Sequence, residues 1–191
     1  SVSFRLSAAA RFNNGDPVQA EDVRHSFAML SSKGALPSYQ TQVAGIERVV
    51  VLDARTVRFE FREKTRDQVF VAGTMPVFSR KWGAGKPFDQ IVTELPITSG
   101  PYLIDKIDMP RRIEFRLNPQ YWARDLPVRR GQHNFERVIY KNYQDDTVSR
   151  EAFKAGEFDL LKEYAARAWV RQHKGVKWDD KRILKADMQT G

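Results

Sequence analysis

The stretch Arg11–Phe27, RFNNGDPVQAEDVRHSF, joins a polar turn directly to an amphipathic helix. The turn contains Asn, Gly, Asp and Pro, residues that tolerate a positive φ, preset the backbone or bond to their own main chain. Glu21 and Asp22 fall in the first helical turn, where the positive end of the helix dipole favours carboxylates. The apolar stripe of this helix consists of Val23, Phe27 and Leu30. We therefore predict a helix over Ala20–Leu30 and give the acidic residues structural roles rather than catalytic ones.

Alternating apolar and charged residues predict antiparallel strands on either side of a Pro-rich segment. The run 46–61, IERVVVLDARTVRFEF, reads as two strands joined at Asp53–Arg55. A second pair is predicted at Tyr102–Ile107 and Arg112–Leu117, followed by a strand at Phe135–Tyr143. Weaker patterns predict a strand at Ser3–Ser7, helices at Gln68–Ala72 and Tyr164–His173, and strands at Met75–Phe78, from Phe158 and at Arg182–Met188.

The segment DDTVSREAFKAGEFD, residues 145–159, has the signals of a short capped helix. Asp146 or Thr147 is the predicted N-cap, and Gly156 is placed where a helix ends in the left-handed conformation. Asp145 and Asp146 could be imagined as a general acid and base, but their position just before a helical pattern favours capping. The sequence PITSGP, residues 96–101, is predicted to be a domain crossover because two prolines and a glycine bracket small polar residues.

Composition excludes several kinds of chemistry. The 191 residues include no cysteine, which rules out disulfides, thiolate nucleophiles and Cys-based zinc sites. The three histidines, His25, His133 and His173, are far apart and lack metal-ligand spacing. Walker, Rossmann and GxSxG motifs are absent as well. We therefore predict no catalytic residues, no metal site and no cofactor.

The formal charge of +8 raises the possibility of a basic nucleic-acid-binding module. Most basic residues alternate with acidic ones, as in Arg112, Glu114 and Arg116, which is typical of a solvated strand face. The most concentrated basic loop is PVRRGQH, residues 127–133, and no recognised nucleic-acid motif accompanies it. We predict a solvated surface and no nucleic-acid partner.

Five collinear segments resemble the family 5 extracellular solute-binding proteins of bacterial ABC importers. They are FRLSAAARFNNGDPVQAEDVRHSF (4–27), DARTVRFEF (53–61), TSGPYLI (98–104), IEFRLNPQYWA (113–123) and FKAGEFDLL (153–161). Residues 118–143, NPQYWARDLPVRRGQHNFERVIYKNY, are also similar to the YejA-type branch of peptide receptors. One departure is Gln19, which stands where the family usually has a Thr helix cap, so a poorly capped helix start is expected.

This resemblance implies an α+β fold with mixed, largely antiparallel sheets and flanking helices, as in class II periplasmic binding proteins of the peptide-receptor type. Residues 1–95 would be most of the extra domain inserted in the first lobe, and residues 96–191 the central part of that lobe. Ser99, Gly100 and Pro101 would form the hinge or crossover. The family's mature chains are much longer than 191 residues, so the second lobe and an export signal are expected outside this sequence.

The resemblance also implies a function: a non-enzymatic, monomeric receptor that captures peptides in the periplasm and delivers them to the permease and ATPase subunits of an importer. A nickel chelate, a sugar or another small solute is the alternative ligand. The ligand-binding residues implied are Tyr39, Lys162, Glu163, Tyr164 and Trp169. From the residues themselves, Tyr39 equally suits an anchor for its own loop, Trp169 a core position, and 162–164 a solvated loop. If Glu163 faces the pocket, attraction for cationic ligands is expected.

Overall fold

The computed structural model describes residues 1–63, 65–83, 85–91 and 94–187, which form two compact units, Ser1–Lys141 and Asn142–Gly191. The larger unit contains two three-stranded antiparallel sheets, and the described part of the smaller unit is helical. The elements are β1 (Val2–Arg5), α1 (Ala20–Leu30), α2 (Pro37–Val43), β2 (Ile46–Val51), β3 (Thr56–Phe61), α3 (Asp67–Thr74), a 3-10 turn (Phe88–Gln90), β4 (Tyr102–Asp108), β5 (Arg112–Leu117), β6 (Arg137–Lys141), α4 (Asp146–Ala155), α5 (Ala166–Arg171) and α6 (Val176–Asp179). The predicted α+β class is confirmed.

The first sheet has the order β1-β3-β2 and carries the main core of the larger unit. Alternation along β3 buries Val57 and Phe59, and the Phe59 ring meets that of Phe4 edge-on at 5.7 Å. Helix α1 covers this sheet with Val23 and the fully buried Leu30. The helix therefore forms where its apolar stripe can be removed from water, which is the main source of its stability.

Helix α1 begins and ends at the predicted residues, and the poorly capped N-terminus that was expected is compensated by the side chain of Asp22. The Asp22 carboxylate accepts hydrogen bonds from the backbone N–H groups of Gln19 (2.9 Å) and Arg80 (3.1 Å). The Gln19 side chain instead accepts a hydrogen bond from Arg80 at 2.8 Å. Buried Asp22 thus compensates for the missing Thr cap, and its structural role is confirmed.

The second sheet has the order β4-β5-β6, with Glu114 of β5 buried among arginines. Its carboxylate lies 2.7 Å from both Arg112 and Arg137, and Arg137 also reaches Asp105 at 3.2 Å. The alternating charges of these strands are therefore paired with one another across the sheet, which supports the interpretation of this basic surface as a strand face.

The segment 96–101 connects the two sheets along the chain. Its backbone carbonyls accept hydrogen bonds from residues that precede it and from residues that follow it. Thr98 accepts from the backbone N–H of Asn13 at 2.7 Å, within the opening turn. Ser99 accepts from the indole N–H of Trp122 at 3.2 Å, and Pro101 from the backbone N–H of Asn118 at 2.7 Å. The assignment of Ser99, Gly100 and Pro101 as a hinge or crossover stays a prediction.

Four local predictions were wrong. Met75–Phe78 is not a strand, because the Phe78 N–H donates to the buried Ser26 hydroxyl at 2.7 Å instead of joining a sheet. Residues from Phe158 and residues 182–187 are also irregular, and Met188 lies outside the described residues. The N-cap of α4 is Asp145 rather than Asp146 or Thr147. Its Oδ1 accepts from the N–H groups two and three residues later, at 2.8 and 2.9 Å.

Within the described residues, no helix has both the length and the apolar character needed to cross a bilayer.

Candidate functional site

The residues predicted around 162–169 lie in the smaller unit. Lys162, Glu163 and Tyr164 are on the loop that connects α4 to α5, and Trp169 is within α5. This loop is held by Glu163, whose side chain is 7% exposed. The Glu163 carboxylate accepts hydrogen bonds from the Arg150 guanidinium at 2.6 Å and from the Ala165 backbone N–H at 2.9 Å. It also lies 3.2 Å from Nε2 of His173. A helix, the loop and the residues after α5 are therefore joined at one carboxylate.

The electrostatics of this cluster favour an ionised Glu163. The hydrogen bond from Arg150, opposed by burial and helped by the Ala165 N–H and His173, lowers the Glu163 pKa from 4.5 to about 2. The same interaction raises the pKa of the Arg150 guanidinium. Because the Glu163 charge is already balanced by Arg150, little of its field is left to attract a cationic ligand. Its predicted contact with the ligand stays a prediction.

Trp169 belongs to the same group of side chains. Its ring lies 5.9 Å from the His173 ring, and the Lys185 ammonium sits 4.2 Å from the Trp169 ring centroid. Lys185 also donates to the Trp169 backbone carbonyl at 2.6 Å. These contacts hold the half-buried indole within the smaller unit and fit the packing role that the sequence left open.

Lys162 and Tyr164 flank Glu163 and are both exposed. Tyr164 is 79% exposed, and Leu160 on the same loop is 75% exposed. Successive side chains therefore alternate, with Glu163 directed to the interior and its neighbours directed to solvent. An exposed aromatic and an exposed cation on an internally anchored loop form a surface that can contact a ligand.

Tyr39 lies in the other unit, on α2, where it packs half-buried against the main core. This position fits the alternative interpretation, an aromatic that anchors its own segment. The structure thus places Glu163 and Trp169 in one cluster of the smaller unit, with Lys162 and Tyr164 on its exposed loop, while Tyr39 belongs to the core of the larger unit. The roles of all five in ligand binding stay predictions.

Two residues of the cluster, Arg150 and His173, were missed as site residues in the sequence. Both are buried, and no three His, Asp or Glu side chains in the described ranges come together as a metal site. Arg150 could have been noticed because it lies one helical turn after Asp146, at the i,i+4 spacing at which opposite charges on a helix pair. No sequence pattern indicated His173. Its partner Glu163 lies ten residues earlier, and the two side chains meet only because of the path that the chain takes through α5.

Comparison with known families identifies the class of protein to which this fold belongs, the solute-binding proteins. A family model described as "Bacterial extracellular solute-binding proteins, family 5 Middle" matches residues 1–187. The chain belongs to this family of bacterial extracellular solute-binding proteins.

Among relatives, the chain is similar to the uncharacterised protein YejA of Escherichia coli K12, with 34% identity over 189 residues. That match covers 98% of this chain and 31% of the relative. A second relative is the "Probable peptide-binding protein YejA" of Agrobacterium fabrum, 29% identical over 177 residues, covering 88% of this chain and 28% of the relative. The chain therefore spans about a third of the length of these relatives. The resemblance to the YejA-type branch is confirmed.

Among solved structures, the fold is similar to that of the oligopeptide-binding protein AppA from Bacillus subtilis, determined in complex with a nonapeptide. The TM-score is 0.64 at 16% identity, and the match covers 81% of this chain and 31% of AppA. At this level of identity the similarity establishes the fold.

Proposed function

We propose that this chain is part of a receptor that captures peptides outside the cytoplasmic membrane for an ABC importer. The observation that carries this proposal is the family match over nearly the whole chain. One relative is named as a probable peptide-binding protein, and one protein of similar fold was solved with a bound nonapeptide. In such a receptor the protein does no covalent chemistry. It encloses the ligand, and the closed form docks on a membrane permease served by ATPase subunits.

The exposed loop around Glu163 is the proposed ligand-contacting part of the smaller unit. Tyr164 offers a flat, amphipathic surface for variable side chains, and Lys162 offers a charge for a ligand carboxylate. Glu163 acts in this proposal by orienting the loop through Arg150 and Ala165. Such preorganisation lowers the entropy that binding must overcome.

The domain assignment is part of the same proposal. Residues 1–95 act as the extra domain and residues 96–191 as part of the first ligand lobe, with Ser99–Pro101 as the crossover. The receptor works in the periplasm as a monomer, and Tyr39 is the extra domain's contribution to the ligand. Peptide contact of this kind combines main-chain hydrogen bonds with hydrated side-chain pockets.

The basic charge does not make a nucleic-acid-binding module the better proposal. Arginines on both sheets are already paired with acidic residues, as Arg48 and Arg58 are with Glu60. A salt titration separates the two functions, because binding to phosphates weakens steeply with added salt whereas enclosure of a peptide does not.

Native mass spectrometry of the intact protein, purified from its host without refolding, tests the proposed ligand class. We expect a mixture of short peptides that is released on gentle denaturation. A protein that carries a sugar or a metal chelate would overturn the peptide assignment and leave the family assignment standing. An empty protein that also fails to bind an added peptide library would overturn it as well.

A further inference from the structure

A cleft of about 470 Å³ lies at the end of the second sheet, in the larger unit, and none of the predicted ligand-binding residues lines it. Its walls are the end of β5, the basic loop 127–133 and the residues that precede β6. A volume of this size is in the range of small-molecule sites. The basic loop is exposed from residue 127 to residue 132, as predicted for a solvated surface, and several of its side chains also line this cleft.

Three arginines line this cleft, namely Arg124, Arg129 and Arg130. Arg129 reaches the amide oxygen of Gln132 at 3.2 Å, and Arg130 reaches a backbone carbonyl at 3.3 Å. None of the three arginines makes an ion pair with a residue that the structure describes. They differ in this respect from the arginines of the adjoining sheet, which are paired with Asp105 and Glu114.

The carboxylates of the cleft do not cancel its charge. Asp125 and Glu136 also line it, so that three guanidinium groups face two carboxylates. Each guanidinium offers a planar set of donors that matches a phosphate or carboxylate group in a bidentate manner. The local excess of unpaired donors therefore favours an anionic ligand.

His133 supplies an independent observation. Its ring lies edge-on between those of Tyr102 and Tyr121, at 5.9 and 6.0 Å, on the wall of the cleft. Its Nε2 is buried and makes no hydrogen bond with any described residue. Buried ring nitrogens are normally satisfied, so an orphan of this kind indicates an ordered water next to the ring. The residue has a positive φ of 59°, in the left-handed region that histidine adopts more often than most residues other than glycine.

The loop is also ordered by its own hydrogen bonds. The backbone N–H groups of Arg129 and Arg130 both donate to the Leu126 carbonyl, at 2.8 and 3.1 Å, and the Asn134 amide donates to Gly131 at 2.9 Å. The backbone that carries Arg129 and Arg130 is therefore ordered before a ligand binds, which lowers the entropy cost of binding.

We propose that this cleft, whose wall includes the ring of His133, is a binding site for a small oxyanion, a phosphorylated or multiply carboxylated solute, held by Arg124, Arg129 and Arg130. An extended nucleic acid is less suitable, because the unpaired arginines lie in one concave patch rather than along a track. The site is distinct from the proposed peptide-contacting loop.

The test uses inorganic pyrophosphate and citrate as probes, titrated calorimetrically into the intact protein at about 50 mM and about 200 mM salt. We expect saturable binding of at least one probe at the lower salt concentration, and the stronger of the two identifies the phosphate or carboxylate class. The double variant Arg129→Gln, Arg130→Gln should weaken binding roughly tenfold or more, because it removes two charge-assisted interactions.

The matched control is Arg66→Gln, Arg167→Gln, which removes the same charge from exposed positions outside the cleft. It should change affinity by less than about twofold, because distant surface charges are screened. Equal loss in both double variants, or no binding of either probe to the unmodified protein, would overturn the proposal. Peptide binding, measured on the same samples, should be unaffected by either variant and reports separately on the proposed function.

Imidazole NMR gives a second readout that does not depend on the arginine variants. The sequence has three histidines, so each ring can be assigned with a single substitution. Binding of the probe should shift the ring signals of His133 and leave those of His25 and His173 in place. Probe binding that leaves the His133 signals unchanged would mean that the probe binds outside this cleft and would overturn the proposal.

Discussion

At the scale of single residues, Glu163 shows how one buried carboxylate can organise an exposed loop. Three partners from different parts of the smaller unit, Arg150, Ala165 and His173, converge on it, while Lys162 and Tyr164 on either side remain exposed. Removing one partner of a buried ion pair is costly, because the charge of the other partner is then buried without an opposite charge beside it. Loop position and local stability should therefore depend on the same ion pair.

The pH dependence of stability should reveal this pair. Because the pKa of folded Glu163 is about 2, below the ordinary 4.5, its contribution is fully present above pH ~5 and is lost as pH falls through about 2. Glu163→Gln should lower the melting temperature by roughly 5 °C at neutral pH, and this difference should shrink on acidification. Thermal unfolding followed by circular dichroism at several pH values measures it.

Glu151→Gln is the matched control for that experiment, since Glu151 lies on α4 with its side chain 66% exposed and pairs with Lys154. It should change the melting temperature by no more than about 1–2 °C, because surface ion pairs contribute little. A difference between Glu163→Gln and the unmodified protein that persists unchanged at pH ~2 would contradict the assignment.

At the scale of elements, helix α1 is connected to the irregular segment 75–79 through a buried hydroxyl. Ser26 is fully buried, donates to the Asp22 carbonyl at 2.7 Å and accepts from the Phe78 N–H at 2.7 Å. Ser26→Ala leaves that N–H without its partner and should destabilise the protein by about 1–3 kcal/mol. Chemical denaturation measures the loss.

The control for Ser26 is Ser31→Ala, which removes an exposed hydroxyl bonded to a backbone carbonyl of the same helix. Its effect should stay within about 0.5 kcal/mol. Equal stability of the two variants would mean that the Phe78 N–H finds another partner, contrary to the inferred link between the helix and this segment.

Capping of α4 gives a second prediction at this scale. Asp145→Ala removes the acceptor for two backbone N–H groups and should cost about 1 kcal/mol. Asp146→Ala removes a side chain that is 88% exposed, 3.7 Å from Arg150, and should cost less than about 0.5 kcal/mol. Denaturation of the two variants side by side distinguishes them, and the reverse order would restore Asp146 as the cap.

At the scale of the whole molecule, residues that bind a ligand should be separable from residues that hold the fold. Tyr164→Ala removes an aromatic side chain that is 79% exposed, so stability should change by less than about 0.5 kcal/mol. If the loop contacts peptides as proposed, affinity of the intact protein should fall roughly tenfold, through loss of the aromatic contact. Calorimetry with a peptide identified on the native protein measures this.

Tyr140→Ala tests whether any exposed tyrosine would give the same result. Tyr140 lies on β6 of the larger unit and is 63% exposed. Peptide affinity should be unchanged in this variant. If Tyr164→Ala binds peptides as tightly as the unmodified protein, the loop is not the contact surface, although the family assignment is unaffected.

The sequence by itself determined the helices, strands and turns that depend on neighbouring residues, and it also contained the motifs that resemble the family. Helix α1, the β2–β3 and β4–β5 pairs and the left-handed Gly156 follow from periodicity and turn chemistry within a few residues. Strand Met75–Phe78 could not be excluded in this way, because the hydroxyl that diverts Phe78 lies 52 residues earlier in the chain.

Tertiary structure alone decided which distant side chains are grouped together. The Arg150–Glu163–His173 cluster joins residues that are 13 and 10 positions apart around Glu163, across a helix end and a loop without regular periodicity. Likewise, a basic run such as 127–133 has the same composition whether it is solvated or folded into a cleft. Local preference and periodicity act along the chain, whereas burial and charge pairing depend on which distant residues the fold brings together.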